Sequence, residues 1–386
     1  MTGVSYGVVQ ILPSLVSGGV ERGAAEVARA LVADGRESVV VSAGGPIAER
    51  IEKEGSRHVT LPVDSRSPLS MYRNVAPIKQ AIASVSHPIV HIRSRAPGWS
   101  GYFAASSLNV PLVSTFHGAY GHKGFAKRLY NSVMTRGERV IVASRYMRRH
   151  VLDVYPNTPQ NRVVLIPRGV DMAQFSAGPD DEQAVKDLKY RWSIQEGQFV
   201  ILLPGRVSEW KGHHVFLHAL SLMTQKSGWV AIVLGDADKH PDYMKRLRSL
   251  AWRLGVEDRI RWIDHTQDVA TFYKAADLIV NCSIKPEAFG RTLIEAQALG
   301  KPALASGHGG ALDTVVHGET GKLVPPNNAQ ALAEGLQELM FAPAEVRRRM
   351  GEEAAKTVRE YFTVDRMTSA TLAVYASVAE ARYGRA

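Results

Sequence analysis

Apolar runs of strand length recur along this chain, and each is followed by a segment of helical period. They come in two series. The first falls at residues 8–12, 39–41, 89–92, 111–116, 140–143 and 163–166, with helical spacing between them at, for example, 19–34 and 71–85. The second runs through 199–204, 230–234, 260–263, 278–282 and 302–306. Strands separated by helices cannot close as hairpins. They pair in parallel through crossovers, and the helices cover both faces of the sheet. Two series therefore predict two doubly wound α/β domains, and 386 residues is a length for two domains. The boundaries read from the pattern are 1–178 and 190–364, with the polar stretch 176–189 as the linker. After Pro325 the pattern is helical to the end, with amphipathic stretches at 344–362 and 364–381.

Composition then removes several classes. With 45% hydrophobic residues the chain can build a core, which excludes global disorder. The single cysteine, Cys282, excludes an intramolecular disulfide framework and a cysteine-rich zinc site, and fits a reducing compartment. The first residues lack a charged n-region and read as a strand, not a leader. No apolar run reaches the ~20 residues that span a bilayer, so the expectation is a cytoplasmic protein, soluble or peripheral on the inner face of the membrane. The net charge of +10 is uneven: residues 1–180 hold 21 Lys/Arg against 12 Asp/Glu. Residues 122–149 alone carry eight, among them Lys123, Lys127, Arg128 and Arg136, against the single acid Glu138. Such a region attracts an anionic partner (membrane surface, acidic glycan or nucleic acid) or is a solvated basic face.

In open α/β sheets, ligands bind beyond the carboxyl ends of the strands, and the chemically suggestive residues follow strands here. Gly18 and Gly19 sit between the first strand and a helix, where glycine permits close backbone approach and the helix start favours an anion. The spacing is not that of a dinucleotide fingerprint, and a plain turn fits equally. His117 ends a strand and can meet a sugar hydroxyl or phosphate; a satisfied strand-end histidine, the reading also given to His91, is the stronger alternative. Arg206 and Lys211 lie five apart in a glycine-containing loop after a buried strand. A guanidinium and an ammonium beside a helix start suit a diphosphate. The segment 286–296 places Glu287 in a loop and Glu295 in the following helix. Backbone amides around Gly290, Arg291 and Thr292 face an anion, and each carboxylate can accept two hydroxyl protons of a sugar diol. First-turn acids favoured by the helix dipole explain Glu287 but not Glu295. The Gly307-His308-Gly309-Gly310 turn permits close approach or is simply a turn. Asp236 and Asp238 have the DxD spacing of a nucleotide-bound metal site. No further carboxylate stands at ligand spacing, and the 13 histidines show no paired metal motif, so no metal is expected.

Together these segments resemble the retaining glycosyltransferases of family 4. The resemblance runs over nearly the whole chain, from GGVER through FHG and PGRVSEWKG to PEAFGRTLIEAQALGKPALAS and GGALDTVVHGETGKLVP. It implies the GT-B fold: two Rossmann-like domains facing across a cleft, the first for acceptor and the second for a nucleotide-diphosphate sugar. The last helix, 365–386, would pack back on the first domain. The resemblance gives Arg206 and Lys211 to the leaving diphosphate and Glu295 to the ribose. It gives Glu287, with backbone near Phe289 and Gly290, to the transferred sugar, His117 to that sugar near its reacting carbon, and Gly18 and Gly19 to the diphosphate. It implies a reaction without metal and without an enzyme nucleophile, in which the acceptor attacks from the face the diphosphate leaves. Asp264 stands where the family often has glycine, near the nucleotide base. It reads a guanine edge or caps the residues from Thr266 onward, so UDP- and GDP-linked donors both remain open.

The resemblance gives the basic region a use. Phe125, Leu129, Val133 and Met134 fall on one face of a helix expected at 124–136, with Lys127, Arg128 and Arg136 elsewhere. Such a helix suits an interfacial enzyme acting on a bacterial lipopolysaccharide core or similar anionic glycan, or it packs on the first sheet. A soluble acceptor of glucan, sucrose or trehalose type is the main alternative. A nucleic-acid-binding protein is remote, since no zinc finger, aromatic RNA-binding motif or recognition helix appears. A nicotinamide oxidoreductase lacks its GxGxxG.

Overall fold

The computed structural model describes residues 4–16, 18–121, 124–179, 181–236, 240–264, 266 and 268–384. They divide into two units, one running to Arg168 and resuming at Val364, the other Gly169–Thr363. Lys123, Asp238 and His265 lie outside the described residues.

The first unit is built on seven parallel strands: β1 Gly7–Ile11, β2 Ser38–Ser42, β3 Arg57–Thr60, β4 Pro88–Ile92, β5 Leu112–Phe116, β6 Arg139–Val142 and β7 Val163–Leu165. Their order is β3-β2-β1-β4-β5-β6-β7. The order reverses beside β1, which pairs with both β2 and β4. One face of the sheet packs Val8, Ile89, Val113 and Ile141 against Val27 and Leu31 of the helix Gly19–Ala33. The C-terminal helix Val364–Tyr383 adds Met367, Val374, Tyr375 and Val378 to that same core, which is why it belongs to this unit.

The second unit carries six parallel strands: β8 Phe199–Pro204, β9 Trp229–Leu234, β10 Ile260–Ile263, β11 Leu278–Asn281, β12 Ala303–Ser306 and β13 Lys322–Val324, in the order β10-β9-β8-β11-β12-β13. Runs such as FVILLP and WVAIVL are apolar throughout because helices bury both faces. Its core joins Ile201, Val233 and Val280 to Phe216, Leu247 and Leu336 of the covering helices. The switch point lies between β8 and β11.

Two expectations change. The stretch 176–189 is not a linker: Asp181–Arg191 is a helix of the second unit, with acids in its first turn, bases in its last, and Leu188 buried. Charges placed with the helix dipole stabilise a polar helix. Lys274 Nζ also donates to Asp181 at 2.5 Å. The unit begins earlier, at Gly169, because the Val170 amide donates to the Phe362 carbonyl at 2.8 Å and Phe175 packs edge-on against Tyr273. The expected helix at 124–136 is instead a short helix Phe125–Asn131 followed by a 3-10 turn Ser132–Thr135. Its apolar stripe divides: Val133 and Met134 are in the core, whereas Phe125 and Leu129 face solvent.

Candidate functional site

The switch point of the second unit sets the loop after β8 beside the loop after β11. Glycines let the chain close up here, Gly205 and Gly212 in the loop after β8 and Gly235 in the loop after β9. Gly205, at φ +136°, turns the chain out of β8. A Cβ on Gly235 would stand 2.0 Å from the Gly205 carbonyl oxygen, and one on Gly212 would stand 2.0 Å from that of Cys282. With those loops in contact, Lys211 Nζ lies 2.8 Å from Glu287 Oε1. The same oxygen accepts from Asn281 Nδ2 at 3.0 Å and Ser283 Oγ at 2.5 Å. Burial alone would push the Glu287 carboxyl up. Lys211 and the three hydrogen bonds outweigh it and hold the group below the usual carboxylate range. Protein donors thus occupy Oε1, and Oε2 makes no hydrogen bond to the described residues. Arg206 is exposed and has no partner among them.

The helix Arg291–Ala298 starts from Gly290, at φ +90°. By helix geometry the amides of Arg291 and Thr292 have no carbonyl one turn back within the helix, so they point out of its N-terminal end. Thr292 Oγ1 accepts from Asn281 Nδ2 at 3.0 Å, which ties the helix start to the Glu287 network. Glu295 lies deeper and is buried. Its Oε2 accepts from Tyr273 Oη at 2.8 Å, and its Oε1 is 3.6 Å from Arg291 Nε. Phe289 turns its ring away against Phe362 and offers the loop only its backbone. The Gly309–Gly310 turn supports that loop from behind. The Gly310 amide donates to the Glu287 carbonyl at 2.9 Å, and a Cβ there would stand 2.3 Å from Phe289 Cα. Asp264 is exposed at the end of the edge strand β10. It does not cap the helix that follows; Asp268 does, accepting from the Thr271 amide at 3.2 Å.

In the first unit, Gly18 caps the helix Gly19–Ala33 at φ +130°. His117 follows β5, and its Nδ1 meets the Arg168 guanidinium. Arginine can only donate, so Nδ1 is the acceptor and a neutral ring carries its proton on Nε2. That Nε2 is buried without a partner among the described residues. Burial, then Arg168 and Arg93, push the ring well below the ordinary histidine range. His91 is the satisfied histidine, held by Tyr375 Oη at 2.5 Å and Thr115 Oγ1 at 2.7 Å. Arg93 was missed by sequence reading. It is fully buried, donates from Nε to Gln10 Oε1 at 2.7 Å, and leaves Nη2 unpartnered. Arg168 was missed too, although both arginines directly follow apolar runs, the signal that identified Arg206.

These histidines make stability depend on pH in a definite direction. Burial lowers His91 and His117 well below 6.5, and His213 to about 4. Below pH 6.5 the unfolded chain gains protons that the folded chain refuses, so stability is lost as pH falls. Each should cost about 1 kcal/mol at pH 5.5. The melting temperature should therefore drop between pH 7.5 and 5.5, and His117→Gln should reduce the drop. A flat profile would contradict the buried neutral rings.

Of the basic residues, Lys127 and Arg128 are exposed. Arg136 is exposed but braced, its guanidinium about 5 Å from the ring centroids of both Trp99 and Tyr102.

Comparison with known proteins adds the following. Residues 17–174 match the family model described as Glycosyltransferase Family 4, and residues 185–357 match that of Glycosyl transferases group 1. A glycosyltransferase from Rickettsia africae ESF-5 superposes with a TM-score of 0.87 and 33% identity, covering 97% of this chain and 98% of that one. Anabaena Alr3699/HepE, solved with UDP and glucose, superposes with a TM-score of 0.85 at 23% identity, covering 96% and 100%. The D-inositol 3-phosphate glycosyltransferase of Jonesia denitrificans is 27% identical over 306 residues, covering 75% of this chain and 71% of that protein.

Proposed function

The chain belongs to the glycosyltransferases of family 4, with two Rossmann-like units of the GT-B fold, and from that premise we propose that it moves a hexose from a UDP- or GDP-linked sugar, with retention and without metal, to an anionic glycan acceptor at the cytoplasmic membrane surface, such as a lipopolysaccharide core. The observation that carries the donor half of this reading is the Lys211–Glu287 pair at the β8–β11 switch point, with Arg206, unpaired among the described residues, in the same loop as Lys211 and the start of the helix Arg291–Ala298 tied to the pair through Asn281.

Arg206 and Lys211 neutralise the departing diphosphate, with the amides of Arg291 and Thr292 helping. A preorganised cation in such a site is worth about 10²–10³ in rate. Glu287 offers Oε2 to the sugar hydroxyls while Lys211 keeps it ionised. Glu295 takes the ribose hydroxyls, held by Tyr273. Asp264 is assigned to the base, and His117 Nε2–H to a substrate oxygen. No side chain needs to act as nucleophile. The acceptor hydroxyl attacks the anomeric carbon as the bond to the diphosphate breaks, and the leaving phosphate oxygen takes its proton. Catalysis rests on positioning and charge stabilisation.

A second reading has its own support. Relatives such as the Jonesia protein are named for D-inositol 3-phosphate, a phosphorylated acceptor that is not a lipid, and the basic first half suits it equally.

Calorimetry on Glu295→Ala tests the donor site. Donor binding should weaken at least tenfold, with about 1–3 kcal/mol lost from stability because the buried Tyr273 Oη–Glu295 hydrogen bond is gone. Unchanged sugar-nucleotide binding would remove Glu295 from the site and the assignment with it.

A further inference from the structure

Between Asp64 and Glu138 the chain holds nine Lys/Arg and not one Asp or Glu. At the overall frequency of 37 acids in 386 residues, about seven acids would fall in a stretch of that length. Three of the helical segments formed by this stretch lie side by side: Pro68–Arg73, Arg95–Leu108, and Phe125–Asn131 with its continuation Ser132–Thr135. Ser100 Oγ donates to the Met71 carbonyl at 2.8 Å, which joins the first to the second. Trp99 Nε1 donates to the Tyr130 carbonyl at 2.9 Å, which joins the second to the third. Arg136 closes the seam against Trp99 and Tyr102.

Each of these segments leaves apolar side chains in solvent. Leu69 is 57% exposed, Tyr72 78%, Phe103 52%, Phe125 81% and Leu129 48%. Scattered singly they would need no explanation, but here they share a joined set of helices rimmed by cations. Aromatic and aliphatic side chains beside arginines, with no acid on these three segments themselves, match an anionic lipid–water interface: apolar groups enter the acyl boundary and cations meet phosphates. Leu69 and Leu129 offer no ring for a base to stack on, which favours lipid over single-stranded nucleic acid. No described helix is long and apolar enough to cross the membrane, so the contact is peripheral.

We propose that this three-helix face seats on an anionic phospholipid bilayer, with Leu69, Tyr72, Phe103 and Phe125 entering the headgroup–acyl boundary and Arg73, Lys127, Arg128 and Arg136 pairing with lipid phosphates. The proposal rests on the membrane-surface reading above and names the surface that reading requires.

Flotation of the full chain with vesicles tests it. The wild type should float with vesicles containing phosphatidylglycerol, float poorly with phosphatidylcholine alone, and be released by high salt. Tyr72→Ser with Phe125→Ser should cut the bound fraction about tenfold or more, and Leu69→Ser with Phe103→Ser should do the same. Both double variants should keep the wild-type melting temperature and nucleotide response, since none of the four positions touches the donor site. Wild type that ignores anionic vesicles overturns the membrane reading and this face together. Wild type and variants floating equally leaves the membrane reading standing and overturns the face. Loss from one pair alone overturns the joined surface, and capture on oligo(dT) without flotation assigns the face to nucleic acid instead.

Discussion

Lys211→Ala should sharply reduce sugar transfer and destabilise the second unit. Lys211 is the counter-charge that keeps the partly buried Glu287 carboxylate ionised. Removing it leaves that carboxylate with only Ser283 and Asn281, and breaking a partly buried pair from one side costs about 2–3 kcal/mol, less than a fully buried one because solvent screens it. Transfer should fall by about 10²–10³ from lost stabilisation of the leaving diphosphate. The two effects separate in a double variant. Lys211→Ala with Glu287→Gln removes the uncompensated charge, so it should recover most of the stability and none of the activity. Full stability in Lys211→Ala alone would mean that the pair does not hold Glu287. Near-normal transfer would mean that Lys211 does not meet the diphosphate.

Gly212→Ala is expected to be damaging for a different reason. At φ +76° an L side chain is strained, and its Cβ would stand 2.0 Å from the Cys282 carbonyl oxygen. Backbone cannot yield as a flexible side chain can. The β8 and β11 loops must separate, and Ser283 with its hydrogen bond to Glu287 moves with them. More than about 3 kcal/mol should be lost, along with donor affinity. Gly197→Ala is the control: its φ is +79°, but nothing lies within 4 Å of the added carbon, so it should cost only the strain, about 1–2 kcal/mol. Equal melting temperatures for the two variants would show that the close loop contact is not real.

Both parallel sheets were legible because strands covered on two faces are written as unbroken apolar runs. The edge strands β3 and β13 escaped notice for the converse reason. Arg57–Thr60 is partly to fully exposed and Lys322–Val324 buries only Val324, so neither needs an apolar run. The helix Asp181–Arg191 was read as linker because a polar helix held by charge pairs, such as Lys186–Glu182 at 2.6 Å, has the composition of a linker. The stripe of Phe125, Leu129, Val133 and Met134 has the same spacing whether it faces a core or solvent, and the chain divides it, burying Val133 and Met134 and exposing Phe125 and Leu129.

At the proposed donor site, the sequence shows which residues follow each strand but not which loops meet. The Lys211–Glu287 pair joins residues 76 apart, and Glu295 finds Tyr273 22 residues away. Neither contact has a local signature. Arg93 and Arg168 did have one, since each stands directly after an apolar run, but they were counted into the basic balance and not read one by one.

The most direct test of the donor site is a thermal-shift screen against UDP, GDP, ADP, their common sugar conjugates and NAD, with EDTA present, on the wild type and Arg206→Ala. Arg206 is exposed and unpaired among the described residues, so its removal should leave the unliganded melting temperature unchanged. One nucleoside diphosphate and its sugars should stabilise the wild type by about 2.7 kcal/mol at a hundredfold excess over Kd, and most of that gain should vanish in the variant. Silence across the sugar nucleotides, or a response to NAD alone, would contradict the donor site built on Arg206, Lys211, Glu287 and Glu295.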